Sequence, residues 1–290
     1  MATYENAPTQ FLEQNGIKYA FRKFGAKSGT PLLYLIHFRG TMDTWDPSVI
    51  DPVAKSRPVI LFDNAGVGHS SGEVPHTVRG MADHVAVFLK ALKPGGPVDI
   101  LGFSIGGYIA QMVALNHPEL VRKLVIAGSG PSHGPQIQPL GDDIAATAIA
   151  PPSQEGFQAL FFPYTPAGKA ASQKFWKNAN TRKGTPTDPR REWITGDGIL
   201  GQGTALKKWN SEAPEGSDPL DGSFDRLGEL KHTTLIVQGH TDVMVPTIGS
   251  FIMQQRMPNA QLIIYPDSGH GSIFQYADLF VGHLTQFLDE

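Results

Sequence analysis

Ser104 stands within Gly102-Phe103-Ser104-Ile105-Gly106-Gly107, a G-x-S-x-G pattern set between an apolar run and a helix-like stretch. Such a pattern describes a tight strand-to-helix turn that holds a serine in a strained conformation with its hydroxyl raised above a sheet. Glycine is needed at 102 and 106 because neighbouring backbones approach closely there. A helix starting at Ile105 would also aim its first N–H groups at the same spot, favouring negative charge. A serine hydroxyl is a poor nucleophile until a neighbouring base takes its proton. Two later loops carry the missing residue types: GHTDVMVP at residues 239–246, with His240 and Asp242, and PDSGHGS at residues 266–272, with Asp267 and His270. Together they could transfer an acyl group to water through the serine.

These loops need a frame, and the apolar pattern supplies one. Short runs rich in Val, Ile and Leu recur at residues 31–37, 58–63, 97–104, 124–128, 233–239 and 260–266. Their hydrophobicity is continuous rather than alternating, as expected of strands covered on both faces. Between them, residues 77–92 place Val78, Met81, His84, Val85, Phe88 and Leu92 on one helical face. Residues 105–116 and 272–288 read as further helices, and residues 10–24 alternate like an antiparallel edge hairpin. Strands alternating with helices predict a doubly wound, mostly parallel α/β sheet. The serine, Asp242 and His270 then all fall at carboxyl ends of strands, where an open parallel sheet forms its ligand crevice.

The rhythm breaks between Gly130 and Leu230, where Pro131, Pro135, Pro151, Pro152 and Pro163 accompany clustered aromatics. The expected organisation is a core of residues 1–130 and 231–290, with residues 131–230 forming a mainly helical cap over the substrate.

Taken jointly, LIHFRG near residue 37, DNAGVGHS at 63–70, GFSIGG at 102–107, GHTDVMVP at 239–246 and SGHG at 268–271 resemble the α/β-hydrolases. The resemblance covers nearly the whole chain and is nearer the cofactor-free haloperoxidase and esterase branch with a helical cap. It implies Ser104 as nucleophile, Asp242 as the acid and His270 as the base, in the chain order that architecture uses. Some members carry the acid after the preceding strand, but Ala127-Gly128-Ser129 offers no carboxylate there. Asp267 reads as a loop cap, and His37, His69, His84 and His240 as packing or hydrogen-bonding histidines. Asp63 ends a strand and organises the following turn, while the Gly66-x-Gly68 pair lacks the third glycine and helix of a dinucleotide site.

An oxyanion hole needs two backbone donors. Ile105 supplies one, and the loop His37-Phe38-Arg39-Gly40 the other, with Phe38 in the donor position where relatives often have glycine. The missing HGGG-type loop speaks against bulky tertiary-alcohol esters. For substrate contacts the expectations are Arg39, which either meets a substrate carboxylate or forms a surface ion pair, and the aromatics Phe161, Phe162, Trp176 and Trp209.

Composition narrows the rest. No cysteine is present, so disulfides, thiolate metal sites and thiol nucleophiles drop out. Net charge is −3 with scattered basic residues, which gives no stripe for a nucleic-acid backbone. No ligand cluster for a metal stands out, and no cofactor is expected. Residues 1–10 lack a basic segment leading into an apolar one, and no apolar run approaches the roughly 18 residues that span a bilayer. The expected setting is cytoplasmic, the partner a small molecule, and the oligomeric state is open. Hydrolysis of a carboxylic ester or lactone of a small, largely apolar substrate leads the functional readings. Carbon–carbon cleavage of a β-diketone-like substrate and perhydrolysis use the same three residues, and a ligand-binding protein on the same fold is the non-enzymatic rival.

Overall fold

A computed structural model describes residues 2–138, 140–212 and 216–290. Strands β1 (Gln10–Gln14), β2 (Ile17–Gly25), β3 (Leu32–Leu35), β4 (Pro58–Asp63), β5 (Val98–Phe103) and β6 (Val121–Ala127) are followed by a short hairpin, β7 (Gly184–Thr185) and β8 (Asp188–Pro189), then by β9 (Thr233–Gly239) and β10 (Ala260–Tyr265). Eight strands form one sheet in the order β1-β2-β4-β3-β5-β6-β9-β10. β1 and β2 are antiparallel, as are β2 and β4, and every other neighbour in the sheet is parallel. This is the α/β hydrolase fold, with a helical insertion between β6 and β9.

Continuous hydrophobicity is explained by two cores. On one face Leu33, Leu35, Ile60, Phe62 and Ile100 pack with Met81, Val85 and Phe88 of α2 (Val78–Leu92), after the short α1 (Asp51–Ala54). On the other, Leu32, Tyr34, Val59, Leu61, Leu101 and Phe103 meet Trp45 and the C-terminal helices. Alternate residues of each strand thus serve opposite layers, and none can be polar cheaply. Thr77 caps α2, its hydroxyl accepting from Gly80 N. His84, on the apolar face by spacing, is half-buried and hydrogen-bonds Tyr19 Oη at 2.6 Å.

Helix α3 (Ile105–Asn116) follows β5 through the serine turn and is buried along nearly its whole length. The insertion contributes α4 (Asp142–Ile149), α5 (Gln154–Phe161), α6 (Pro166–Ala179) and α7 (Asp197–Asn210). Two stretches depart from the pattern expected of the sequence. α8 (Ile248–Arg256) lies between β9 and β10, where no helix was assigned: Ile248 and Phe251 are 40% and 51% exposed and blur the apolar stripe. The C-terminal stretch is two helices, α9 (Ser272–Gln275) and α10 (Ala277–Asp289), parted where Tyr276 leaves helical angles and its hydroxyl donates to Pro266 O. Among the described residues no helix is long and apolar enough to cross a membrane.

Candidate active site

The serine turn is made by close backbone contact. Ser104 has φ 58° and ψ −123°, a conformation costing about 1–3 kcal/mol for a residue with a side chain. It is held by Ser104 N donating to Ala127 O at 2.9 Å and by Ser129 Oγ donating to Ser104 O at 2.9 Å. A Cβ on Gly102 would lie 2.2 Å from Gly106 O, and one on Gly106 would lie 2.0 Å from Leu35 O. Neither position has room for a side chain, so β3, the turn and α3 can pack only with glycine at both.

Asp242 and His270, 28 residues apart, meet above the ends of β9 and β10. His270 is fully buried, and its Nδ1 lies 2.8 Å from Asp242 Oδ2. Since a carboxylate there accepts, Nδ1 carries a hydrogen, and in the neutral ring the lone pair is then on Nε2. Among the described residues Nε2 has no hydrogen-bond partner. Asp242 Oδ2 also accepts from Gln238 Nε2 at 2.7 Å, and Oδ1 accepts from Met244 N at 2.8 Å and Val245 N at 2.9 Å. Thr241 N donates to Ser268 O at 2.9 Å, tying the two loops together. Phe103 and Phe161 both pack on the imidazole, each ring centroid 5.0 Å away, Phe103 tilted by 35° and Phe161 edge-on at 73°. Ser104 and His270 line one cleft.

The loop after β3 forms a third wall. Gly40 N donates to His37 O at 3.0 Å, and Arg39 takes φ 64°. The N–H groups of Phe38 and Ile105 donate to no protein acceptor among the described residues, and half-buried Phe38 lines the cleft. His37 also lines it, with Nδ1 donating to Phe38 O at 2.9 Å; burial pulls its pKa down to about 3, so the ring is neutral. Arg39 is 5% exposed and is not part of a surface ion pair. Nε donates to Ile194 O at 3.1 Å, and Nη1 to Ala148 O at 3.1 Å and Ala150 O at 2.6 Å.

The other ionisable residues lie apart from this centre. Asp267 is exposed, accepting from Thr165 Oγ1 at 3.1 Å. His240 is exposed, and His69 approaches Asp43 Oδ2 at 3.6 Å. Asp63 accepts from Met42 N and His69 N at 2.7 and 2.9 Å, and so organises both adjoining loops.

The cleft has about 470 Å³ of empty space, part of it open to solvent. Its walls are mainly apolar: Phe38, Phe157, Leu160, Phe161, Trp193 and Met244, with Pro151 and Pro152 between α4 and α5. Of the aromatics named from the sequence, Phe161 lines it, while Phe162, Trp176 and Trp209 lie outside the lining. Trp209 stacks on Tyr108 with centroids 5.1 Å apart, and Phe162 lies 5.8 Å from Phe175. His37, Leu160 and Met244 were not singled out as lining residues; only Met244, two residues beyond Asp242, carries a positional clue.

An open parallel sheet bearing a strained serine at one strand end and a buried acid–histidine pair at two others places the chain among the hydrolases. It belongs to the alpha/beta hydrolase fold family, whose model matches residues 31–276. An alpha/beta hydrolase fold protein from Chitinophaga pinensis is 33% identical, with a TM-score of 0.86 and each chain covered in full. The 2-hydroxymuconate semialdehyde hydrolase of Pseudomonas sp. strain CF600 is 25% identical over 95% of this chain and 92% of its own. The poly(3-hydroxyalkanoate) depolymerase of Ectopseudomonas oleovorans is 27% identical over 96% of this chain and 91% of its own.

Proposed function

We propose that the protein is a serine hydrolase that cleaves a carboxylic ester or lactone of a small, largely apolar substrate through an acyl-enzyme. One observation carries the reading: a buried imidazole anchored to Asp242 at 2.8 Å has, among the described residues, no partner at Nε2, and His270 lines the same cleft as Ser104. Ser104 Oγ attacks the carbonyl carbon as its proton passes to His270 Nε2. Asp242 fixes the tautomer and stabilises the positive ring, and the N–H groups of Phe38 and Ile105 hold the oxyanion. His270 then returns the proton to the leaving alcohol, and water activated by the same ring releases the acid. Residues 131–230 are the substrate-covering part. Serine rather than aspartate at 104 argues against displacement at an alkyl carbon, since the resulting ether would have no exit.

Carbon–carbon bond hydrolysis is the second reading, favoured by the 25% identity to a semialdehyde hydrolase along 95% of this chain. Perhydrolysis, with peroxide intercepting the same acyl-enzyme, would place the chain in the haloperoxidase-like branch. Assays with p-nitrophenyl acetate, a lactone and a β-diketone, with and without peroxide, separate the three. The deciding experiment is labelling with a fluorophosphonate. Wild type is expected to label and Ser104→Ala to stay unlabelled, whereas equal labelling of both removes Ser104 from its role.

A further inference from the structure

Four arginines are buried among the described residues: Arg22, Arg39, Arg57 and Arg182. Three of them meet carboxylates: Arg22 Nη1 reaches Asp43 at 2.5 Å, Arg57 Nη1 reaches Asp99 at 3.2 Å, and Arg182 Nε reaches Asp43 at 3.0 Å. Arg39 differs. Its Nε and Nη1 meet only the carbonyls of Ile194, Ala148 and Ala150. Two of those carbonyls close the C-terminal end of α4, whose dipole offsets about half a positive charge. Nη2 donates to no acceptor among the described residues, yet it is not among the buried atoms sealed from solvent. The residue itself lines the cleft shared by Ser104 and His270, and no Asp or Glu stands in that lining. A cation in a mainly apolar site that holds no carboxylate, with one nitrogen free of acceptors among the described residues, is complementary to an anionic group brought by the ligand.

We infer that the cleft takes a substrate with one carboxylate on an apolar skeleton, and that Arg39 anchors this carboxylate while Ser104 faces the bond to be cut. The inference rests on the hydrolase reading of the same cleft and narrows its substrate class. Arg39 does fasten the turn after α4 to the loop bearing Phe38, and the rival reading is that it is this strap and nothing more. A strap would affect charged and neutral substrates alike, whereas an anchor would not.

The test compares methyl hydrogen succinate, glutarate and adipate with methyl butyrate, valerate and hexanoate, following methanol release. Wild type is expected to favour the half-esters in kcat/KM at one chain length or more. In Arg39→Met the ratio of half-ester to neutral-ester kcat/KM should fall about 10- to 100-fold, the range for a hydrogen bond to a charged group. Arg39→Lys should keep part of it. Because both substrates are measured on one preparation, loss of folded protein cancels from the ratio. A ratio unchanged between wild type and Arg39→Met overturns the anchor. Calorimetry on Ser104→Ala separates this result from failure of the hydrolase reading. Methyl hydrogen glutarate binding more tightly than methyl valerate, and losing that advantage in Ser104→Ala/Arg39→Met, supports the anchor even if no ester is turned over. Equal affinities for the two compounds overturn it.

Discussion

Replacing Asp242 with asparagine probes the site at its most constrained point. The carboxylate receives four donors: His270 Nδ1, Gln238 Nε2, Met244 N and Val245 N, all between 2.7 and 2.9 Å. An amide has one oxygen to accept with and two hydrogens to place. The backbone donors of Met244 and Val245 converge on Oδ1 and cannot turn away, so the amide oxygen belongs there. The NH2 then faces Gln238 Nε2 and His270 Nδ1. Gln238 cannot simply flip, because Nε2 also donates to Val245 O at 2.8 Å. His270 can yield by accepting at Nδ1, but its hydrogen then sits on Nε2, where no lone pair remains for the Ser104 proton. A base in the wrong tautomer costs about 10⁴ in kcat, or roughly 5 kcal/mol of barrier. The frustrated Gln238 contact costs folding about 1–3 kcal/mol. The assay is kcat for p-nitrophenyl acetate alongside a thermal melt. The expected outcome is a folded protein with a modestly lowered Tm and activity down by about four orders of magnitude. A folded Asp242→Asn protein with kcat within tenfold of wild type would refute the reasoning.

Two further predictions concern stability. Asp43→Ala takes from fully buried Arg22 its close carboxylate, while Arg182 keeps Asp188 at 2.7 Å, so it should cost about 3 kcal/mol in urea unfolding; a loss below about 1 kcal/mol would show that water replaces the carboxylate. The second concerns pH. His37 is lowered by burial from 6.5 to about 3, so the folded state binds fewer protons than the unfolded state between those values. Its contribution is present above pH 6.5 and is lost as pH falls toward 3, by at most roughly 5 kcal/mol for 3.5 units. Asp63 has the opposite sign. Burial raises its pKa from 3.8 to about 6, so stability falls as pH rises through that window. Relative to wild type, urea midpoints measured from pH 4 to 7 should therefore fall with rising pH in His37→Gln and climb with it in Asp63→Asn, and equal slopes in both variants would contradict the assignment.

What the sequence disclosed follows from how local each signal is. β4, β9 and α3 begin and end where the apolar runs and the G-x-S-x-G turn place them, because burial on both faces leaves an uninterrupted pattern. β3 is shorter than its run, ending at Leu35, since Ile36 and His37 turn away to start the loop with Phe38. α8 was hidden by apolar residues on its exposed side, and the break at Tyr276 depends on a hydroxyl reaching Pro266 O. Asp242 and His270 were legible as loop residues at strand ends, but Gln238, one of the donors around the carboxylate, comes from a strand that looked merely apolar. Cap contacts were the least legible. Phe161 and Trp209 are alike in composition and burial, and only the packing of α5 and α7 decides that one faces the cleft and the other stacks on Tyr108.

The loop after β3 shows why the insertion and the chemistry cannot be separated. Arg39 adopts φ 64°, a conformation that a side-chain-bearing residue takes only under constraint, at a cost of about 1–3 kcal/mol. The constraint does not come from the sheet. Arg39 N donates to Gln202 Oε1 at 2.7 Å, Ile194 N donates to Arg39 O at 2.9 Å, and the guanidinium holds the carbonyls of Ala148 and Ala150. Every one of those partners belongs to the segment between β6 and β9. The residue after Phe38 is therefore held by residues more than 100 positions away in the chain, from the same segment that contributes much of the cleft lining. If the insertion shifted as a body, that lining and the neighbouring N–H would move together. With the Phe38 N–H in its proposed oxyanion role, substrate enclosure and oxyanion stabilisation would be one structural variable rather than two.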